Sequence, residues 1–377
     1  MTFIWANSGD SHLIEPESLF RDALPAPVAA RMPRSVKDPD GRWETVFVDG
    51  LEFRRRVPRP LLDGGGESTS SRAPGSNDVA RRLDDLDTEG IWAELIYPSI
   101  GIWTSSIRDP ELLAAGSRAI NDWAIEFQRY SPRYVCTATI PLLSVESALE
   151  EIERSAGLGF HAVYFPVAPP SGAGDWASED WEPVWSALDE AGLVLGFHVG
   201  TEPHDASTFH GNYFRGPGGA ILNYMETTYG GQRAACQLIA SGVFDRHPDL
   251  RVIVSEGGAT WGPFAADRLD EGYRQHASAV RPPLRRLPSE YLYENVYASF
   301  QHDRSAVAAV TAMGWRNVCW GSDYPHLEGT WGHTQKTLHE LFDGVDNAAR
   351  RRITIGTFEE LFPHVPPVPA APPPSAG

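Results

Sequence analysis

A chain of 377 residues, 42% of them hydrophobic, is long enough to bury one large core or two modest ones, and no run in it reaches the length of a membrane-spanning helix. Its formal net charge of -18 argues against a general nucleic-acid or anionic-membrane surface, because both need basic patches against phosphate; a small-molecule partner is the remaining expectation. The three cysteines, Cys136, Cys236 and Cys319, are far apart with no CxxC spacing, so neither a disulfide framework nor a thiolate cage is indicated, and a reducing cytoplasm fits. Asp10 and Glu15 interrupt the first residues, which carry no basic segment leading into an apolar one, so no secretory signal is expected.

In chain order, Phe3 to His12 reads as a first strand, and Glu15-Pro16-Glu17 opens a turn. Residues 21–77 are rich in Pro, Gly, Arg and Ser, with Gly64-Gly65-Gly66 and Ser68-Thr69-Ser70-Ser71 near the end and one strand-like piece, Thr45 to Val48. They form an insertion, either a lid over one end of the domain or a loop without fixed structure. From Asp78 helices and strands alternate: strands are expected at Ile91–Tyr97, Tyr134–Ile140, His161–Phe165, Leu193–His198, Arg251–Ser255, Asn295–Phe300 and Asn317–Trp320, with amphipathic stretches between them. Eight strands alternating with about eight helices imply parallel units closing into a (β/α)8 TIM barrel over residues 1–362. The Pro- and Ala-rich residues 363–377 have little to bury and read as a disordered tail.

Barrel enzymes keep their chemistry at the carboxyl ends of the strands. Asp10 and His12 end the first strand, His198 the fifth, Glu256 the sixth and Asp323 the eighth. Two residues apart on an extended segment, Asp10 and His12 share a face, which suits chelation. The glycines around His198 are expected to let a ligand approach closely, and Glu256, between a buried strand and Gly257-Gly258, needs a partner. Each of these residues alone has an ordinary structural use as a cap, a turn residue or a hydrogen-bonded imidazole. Two aspartates and two histidines on one rim are costly to assemble without a cation, so Asp10, His12, His198 and Asp323 are expected to bind one divalent metal, zinc first and manganese second. His161 and His247 fall at the opposite rim and read as structural.

Taken together, Asp10-Ser11-His12 with Glu15-Pro16, Asn121-Asp122-Trp123, Ile140-Pro141-Leu142, Leu158-Gly159-Phe160, Phe197-His198, Gly242 to Asp245 with His247 to Leu250, Ser255-Glu256-Gly257-Gly258 and Gly321-Ser322-Asp323-Tyr324-Pro325-His326 resemble the amidohydrolase superfamily. The resemblance is to the branch typified by aminocarboxymuconate-semialdehyde decarboxylase, and it covers most of the chain. It implies a metal-dependent barrel enzyme and a homodimer. This sequence departs from the pattern twice: Asp10-x-His12 stands where the family carries His-x-His or Glu-x-His, and Glu256 stands where many members have the histidine of His-Gly-Gly. The fourth strand ends in Tyr164-Phe165-Pro166 with no lysine to bridge two metals, which implies a mononuclear site.

Three functions follow as expectations. The first is hydrolysis of a small cyclic or aromatic amide, ester or activated carbon-carbon bond by a metal-activated water, with Asp323 and Glu256 moving protons. The alternative is non-oxidative decarboxylation of an aromatic or unsaturated acid, and the third a barrel that binds ligand without turnover. His326, Trp261 and His302 are expected to contact substrate, within an aromatic wall to which Trp103, Trp176, Trp181, Tyr324 and Trp331 are further candidates. Arg54, Arg55 and Arg56 either reach over the mouth or form a solvated basic run.

Overall fold

Eight short, largely buried strands each pair in parallel with the one before: β1 (Ala6–His12), β2 (Ile91–Tyr97), β3 (Tyr134–Thr139), β4 (Ala162–Phe165), β5 (Val194–His198), β6 (Val252–Ser255), β7 (Val296–Phe300) and β8 (Val318–Trp320). Just beyond β8 the sheet closes on itself. The Asp323 N–H donates to the Asp10 carbonyl at 2.9 Å, the His12 N–H donates to the Tyr324 carbonyl at 2.7 Å, and Ser11 and Tyr324 form a parallel bridge. The (β/α)8 barrel expected from the alternation is therefore present. The structure is a computed structural model that describes residues 2–57, 73–202, 214, 216–280 and 282–370. Among these no helix is long and apolar enough to cross a membrane.

Local chemistry sets the helix limits. Asp78 caps the helix Val79–Glu89 by accepting the N–H groups of Ala80 and Arg81, and Gly90, at φ 82°, turns the chain into β2. Along β2 the two-residue period sends Ala93, Leu95 and Tyr97 into the barrel, where they meet Val135, Tyr164, Val194, Ile253, Tyr297 and Cys319. Glu94 points the other way, towards that helix, where Arg82 Nη2 donates to its Oε2 at 2.9 Å. Both side chains are wholly buried, and Arg82 Nη1 also donates to the His12 carbonyl at 2.9 Å. Replacing Arg82 by methionine leaves a buried carboxylate unpaired, so the expected loss is about 3–5 kcal/mol in denaturant unfolding. Removing Glu94 as well, in R82M/E94L, should recover much of that loss.

The insertion is a folded unit: a three-stranded antiparallel sheet, Arg34–Lys37, Trp43–Val48 and Leu51–Arg56. Asp49 and Gly50, at φ 48° and 79°, make the two-residue turn between its last two strands. Its inner residues Val46, Val48 and Phe53 pack with Met32, Trp103, Leu112 and Ile120, against the chain that follows β2. Arg54 pairs with Asp38 at 2.6 Å and Arg55 with Glu44 at 2.8 Å, so these two charges are engaged within the sheet. Gly64 to Gly66 and Ser68 to Ser71 lie outside the described residues.

At the amino-terminal end of the barrel, Phe358, Leu361, Phe362 and Val365 close the interior. The packed chain extends past 362, where a disordered tail was expected to begin. Trp92 Nε1 donates to the Pro366 carbonyl at 2.7 Å, and the His364 ring stacks on His161 with centroids 3.5 Å apart. Prolines need no partner for an N–H, so such a segment lies along a surface on a few apolar contacts. Residues 371–377 lie outside the described residues.

Candidate metal centre

Each strand-end residue is delivered to the rim by a local device. In β1 the pairing register with β2 shifts between Ala6 and Ser8 and again between Ser8 and Ser11, irregularities of the kind that re-aim side chains at a rim. After β8, Gly321 lies so close to β1 that a Cβ there would fall 2.8 Å from Asp10 Cβ. The Ser322 N–H is held by Ser8 Oγ at 2.8 Å, and Asp323 follows in the left-handed region at φ 53°. Glu256 sits in the same region at φ 59°, its N–H donating to Ser299 Oγ at 3.0 Å. Among the described residues only Asp49, Glu256 and Asp323 have positive φ without being glycine. The strain, about 1–3 kcal/mol per residue, is retained where the surroundings hold it and gathers at functional sites.

The predicted residues gather around His12 in two overlapping groups, Asp10 with His12 and His198, and His12 with Asp323 and His326. His12 Nε2 is 3.0 Å from His198 Nε2 and 3.4 Å from Asp323 Oδ1, and His198 Nε2 is 3.2 Å from Asp10 Oδ1. Asp10, His12 and Asp323 are fully buried and His198 is nearly so. Each imidazole is turned by a backbone carbonyl: His12 Nδ1 lies 3.2 Å from the Pro98 oxygen and His198 Nδ1 lies 2.8 Å from the Val199 oxygen. A carbonyl only accepts, so the proton of each neutral ring belongs on Nδ1, and it is Nε2 that each imidazole turns to the other and to the aspartates. Among the described residues no donor of good geometry reaches any of the four oxygens of Asp10 and Asp323.

Acceptors converging on acceptors in a buried site call for a cation. Donor atoms about 3.0–3.4 Å apart are what ligands some 2.0–2.2 Å from one ion subtend. The electrostatics agree. Burial lowers His198, but the carboxylates of Asp10 and Glu256 raise it to a net value of about 9: they draw a proton to its Nε2, where a metal ion would supply the positive charge instead. His12 is held well below the usual imidazole range by burial and by His326 and His198. Burial, and then the Asp10 carboxylate, push Asp323 well up. The two groups share His12, and each offers a donor set that fits a divalent cation.

Glu256 stands beside the cluster, Oε2 3.8 Å from His198 Nε2. Burial first, then the charges of Asp323 and Asp10, push its carboxyl well above the usual range, while His198 pulls it down. His326 sits on the cluster too: its Nδ1 is 2.8 Å from Asp323 Oδ1, and its ring stacks on His12 with centroids 4.0 Å apart. His302 is not among the mutually close donors; its ring lies parallel to that of His333 at 6.1 Å, and burial lowers it. Trp261 packs edge-on against Trp315 at 5.3 Å and donates to the Gly258 carbonyl at 2.9 Å, fixing the start of its helix. Trp103, Trp176, Trp181 and Tyr324 are buried in the packing, and half-buried Trp331 lies edge-on to Tyr324.

Tyr97 was not anticipated. Its buried ring lies 4.8 Å from His198 and 6.1 Å from His12, and its hydroxyl pairs with Ser255 Oγ at 2.8 Å, making a floor to the site. It also corrects the expectation for the glycines beside His198. A Cβ on Gly196 would fall 2.5 Å from the Tyr97 hydroxyl, so that glycine makes room for a phenol of the protein itself. A polar-tipped aromatic at the last position of a strand was the available signal. His247 and His161 are structural as expected: His247 Nε2 lies 2.9 Å from Glu182 Oε1, and His161 stacks on His364.

A family model described as Amidohydrolase matches residues 99–363. The gamma-resorcylate decarboxylase of Rhizobium sp. (strain MTP-10005) is 24% identical over 296 residues, which cover 73% of this chain and 86% of that protein. Among solved structures, an amidohydrolase from Mycobacterium avium subsp. paratuberculosis K-10 superposes with a TM-score of 0.76 at 19% identity, over 96% of this chain and all (100%) of that one. A dihydroxybenzoic acid decarboxylase from Polaromonas sp. JS666, with bound manganese and the inhibitor 2-nitroresorcinol, superposes with a TM-score of 0.63 at 19% identity, over 96% of this chain and 97% of that one. At these identities the superpositions speak to the fold.

Proposed function

Because the chain belongs to the amidohydrolase family, and is an enzyme of that superfamily, we propose that it is a metal-dependent carboxy-lyase that removes carbon dioxide from a small aromatic acid. The observation that carries this is the placement of the Glu256 carboxyl beside buried donor groups that share His12, with its Oε2 3.8 Å from His198 Nε2. Hydrolysis by a metal-activated water was the first expectation; the relatives that match over most of the chain are decarboxylases, which supports the alternative.

Asp10, His12, His198 and Asp323 would hold the cation, which when bound supplies positive charge that neutralises the two aspartates and binds substrate oxygens. Carboxylate and imidazole donors accept zinc and manganese alike, and the manganese of the Polaromonas decarboxylase supports the latter. The protein's own groups do the rest. Tyr97 closes the site from below, and His326 faces the same space from beside Asp323. As the carbon-carbon bond breaks, its electron pair stays on the ring carbon, and Glu256 delivers its proton there. Burial, then the charges of Asp323 and Asp10, raise its pKa, which favours the protonated form this step uses.

The deciding experiment incubates the metal-replete protein with a panel of hydroxylated benzoates and follows carbon dioxide and ring product. In deuterium oxide one deuterium should enter at the carbon that lost the carboxyl. No carbon dioxide from any acid, with hydrolysis of esters or amides instead, would return the assignment to a hydrolase. Chelation is expected to lower the melting temperature, and Mn²⁺ at about 100 times its dissociation constant to restore about 2.7 kcal/mol. A melting temperature indifferent to metal would refute the centre.

A further inference from the structure

We infer that Glu15 is a positioning residue of this centre: it grips the peptide whose opposite edge sets the tautomer and aim of His12. The inference rests on the assignment of His12 as a ligand. Glu15 lies three residues beyond His12 and is 7% exposed. Its Oε1 accepts the Gly101 N–H at 2.8 Å and the Ser99 N–H at 3.1 Å, while Oε2 accepts the Ile100 N–H at 3.0 Å and the Ser99 N–H at 3.2 Å. Among the described residues no cation pairs with it, and three consecutive main-chain donors satisfy it instead. The fit is close: a Cβ on Gly101 would fall 3.0 Å from Glu15 Oε1 and 2.9 Å from Pro98 Cβ.

The Ser99 N–H and the Pro98 C=O belong to one planar peptide unit and point to opposite edges of it. Glu15 holds the N–H edge with both oxygens, and the C=O edge lies 3.2 Å from His12 Nδ1. A rotation of that plane would withdraw the acceptor that keeps the proton on Nδ1 and the Nε2 lone pair on the centre. The same residue touches a second imidazole, with Ser99 Oγ 3.5 Å from His326 Nε2. Ligand and orienter thus come from one six-residue segment, Asp10 to Glu15, reaching each other through the loop after β2.

The test uses Glu15→Ala and Glu15→Gln. In the metal-free full-length protein, ¹⁵N-histidine spectra should report His12 as the single Nδ1–H tautomer in the wild type and as a mixture in Glu15→Ala. Equilibrium titration with Mn²⁺ should show affinity weakened by about 10–100-fold. Glu15→Gln should fall between, because one carboxamide oxygen still accepts while its NH₂ group confronts an N–H. A clamp with no role beyond loop stability would lower the melting temperature and leave the tautomer unchanged; that result in folded Glu15→Ala, or in Glu15→Gln should the alanine variant not fold, overturns the inference. Failure of the wild type to bind Mn²⁺ or Zn²⁺ would instead remove the metal assignment, and the tautomer would still decide what Glu15 does.

Discussion

Asp323→Asn is expected to lower kcat/KM by about 10³-fold or more at saturating metal, the scale of loss when a preorganised charged group leaves a water-excluded site. Asparagine suits the test because Asp323 sits at φ 53°, and asparagine tolerates the left-handed region that alanine resists. The substitution therefore removes charge without adding backbone strain. Asp323 is fully buried, with His12 Nε2 and His326 Nδ1 at 3.4 and 2.8 Å from one oxygen. Removing its charge also leaves Asp10 to hold the cation with the imidazoles, so the metal dissociation constant should rise. Turnover at the wild-type rate in a folded, metal-loaded Asp323→Asn protein would refute the site as drawn.

Glu256→Gln is expected to separate chemistry from binding. If Glu256 is the acid, kcat should fall by about 10²–10⁴-fold with KM and metal content nearly unchanged, because the lost contribution exists only in the transition state. The pH profile carries the same information. A group whose folded pKa is raised keeps its proton until the pH climbs through that raised value, and burial followed by the charges of Asp323 and Asp10 raises Glu256. The wild-type rate should therefore fall on the alkaline side, and Glu256→Gln should be slow and flat there. Loss of metal from Glu256→Gln would instead make Glu256 a ligand.

The hairpin of the insertion and the floor of the site show where a linear reading stops. Asp49-Gly50 is a strong hairpin signal, yet its second strand, Leu51 to Arg56, carries three arginines in a row and lacks the apolar alternation that marks a strand. Its place is decided by Phe53 docking with Trp103, at a ring separation of 5.5 Å. Tyr97 reads as the apolar end of a strand, and only barrel closure brings its phenol under His198. The aromatic residues expected around substrate mostly serve packing, since their order along the chain says which loop they occupy and not which way they turn.

By itself the sequence determined the barrel, because alternating strands and amphipathic helices have few ways to bury both faces of a parallel sheet. It also determined which rim carries the chemistry, because the direction of a strand places Asp10, His12, His198, Glu256 and Asp323 at carboxyl ends regardless of how the barrel is packed. Only the tertiary structure decided what those residues face. The 3.0 Å approach of His12 to His198, the left-handed backbone at Glu256 and Asp323, and the grip of Glu15 on the peptide that orients His12 all depend on chain segments far apart in sequence. Distances of that kind follow from how the closed sheet is staggered and how its loops are hydrogen-bonded, and no local pattern encodes them.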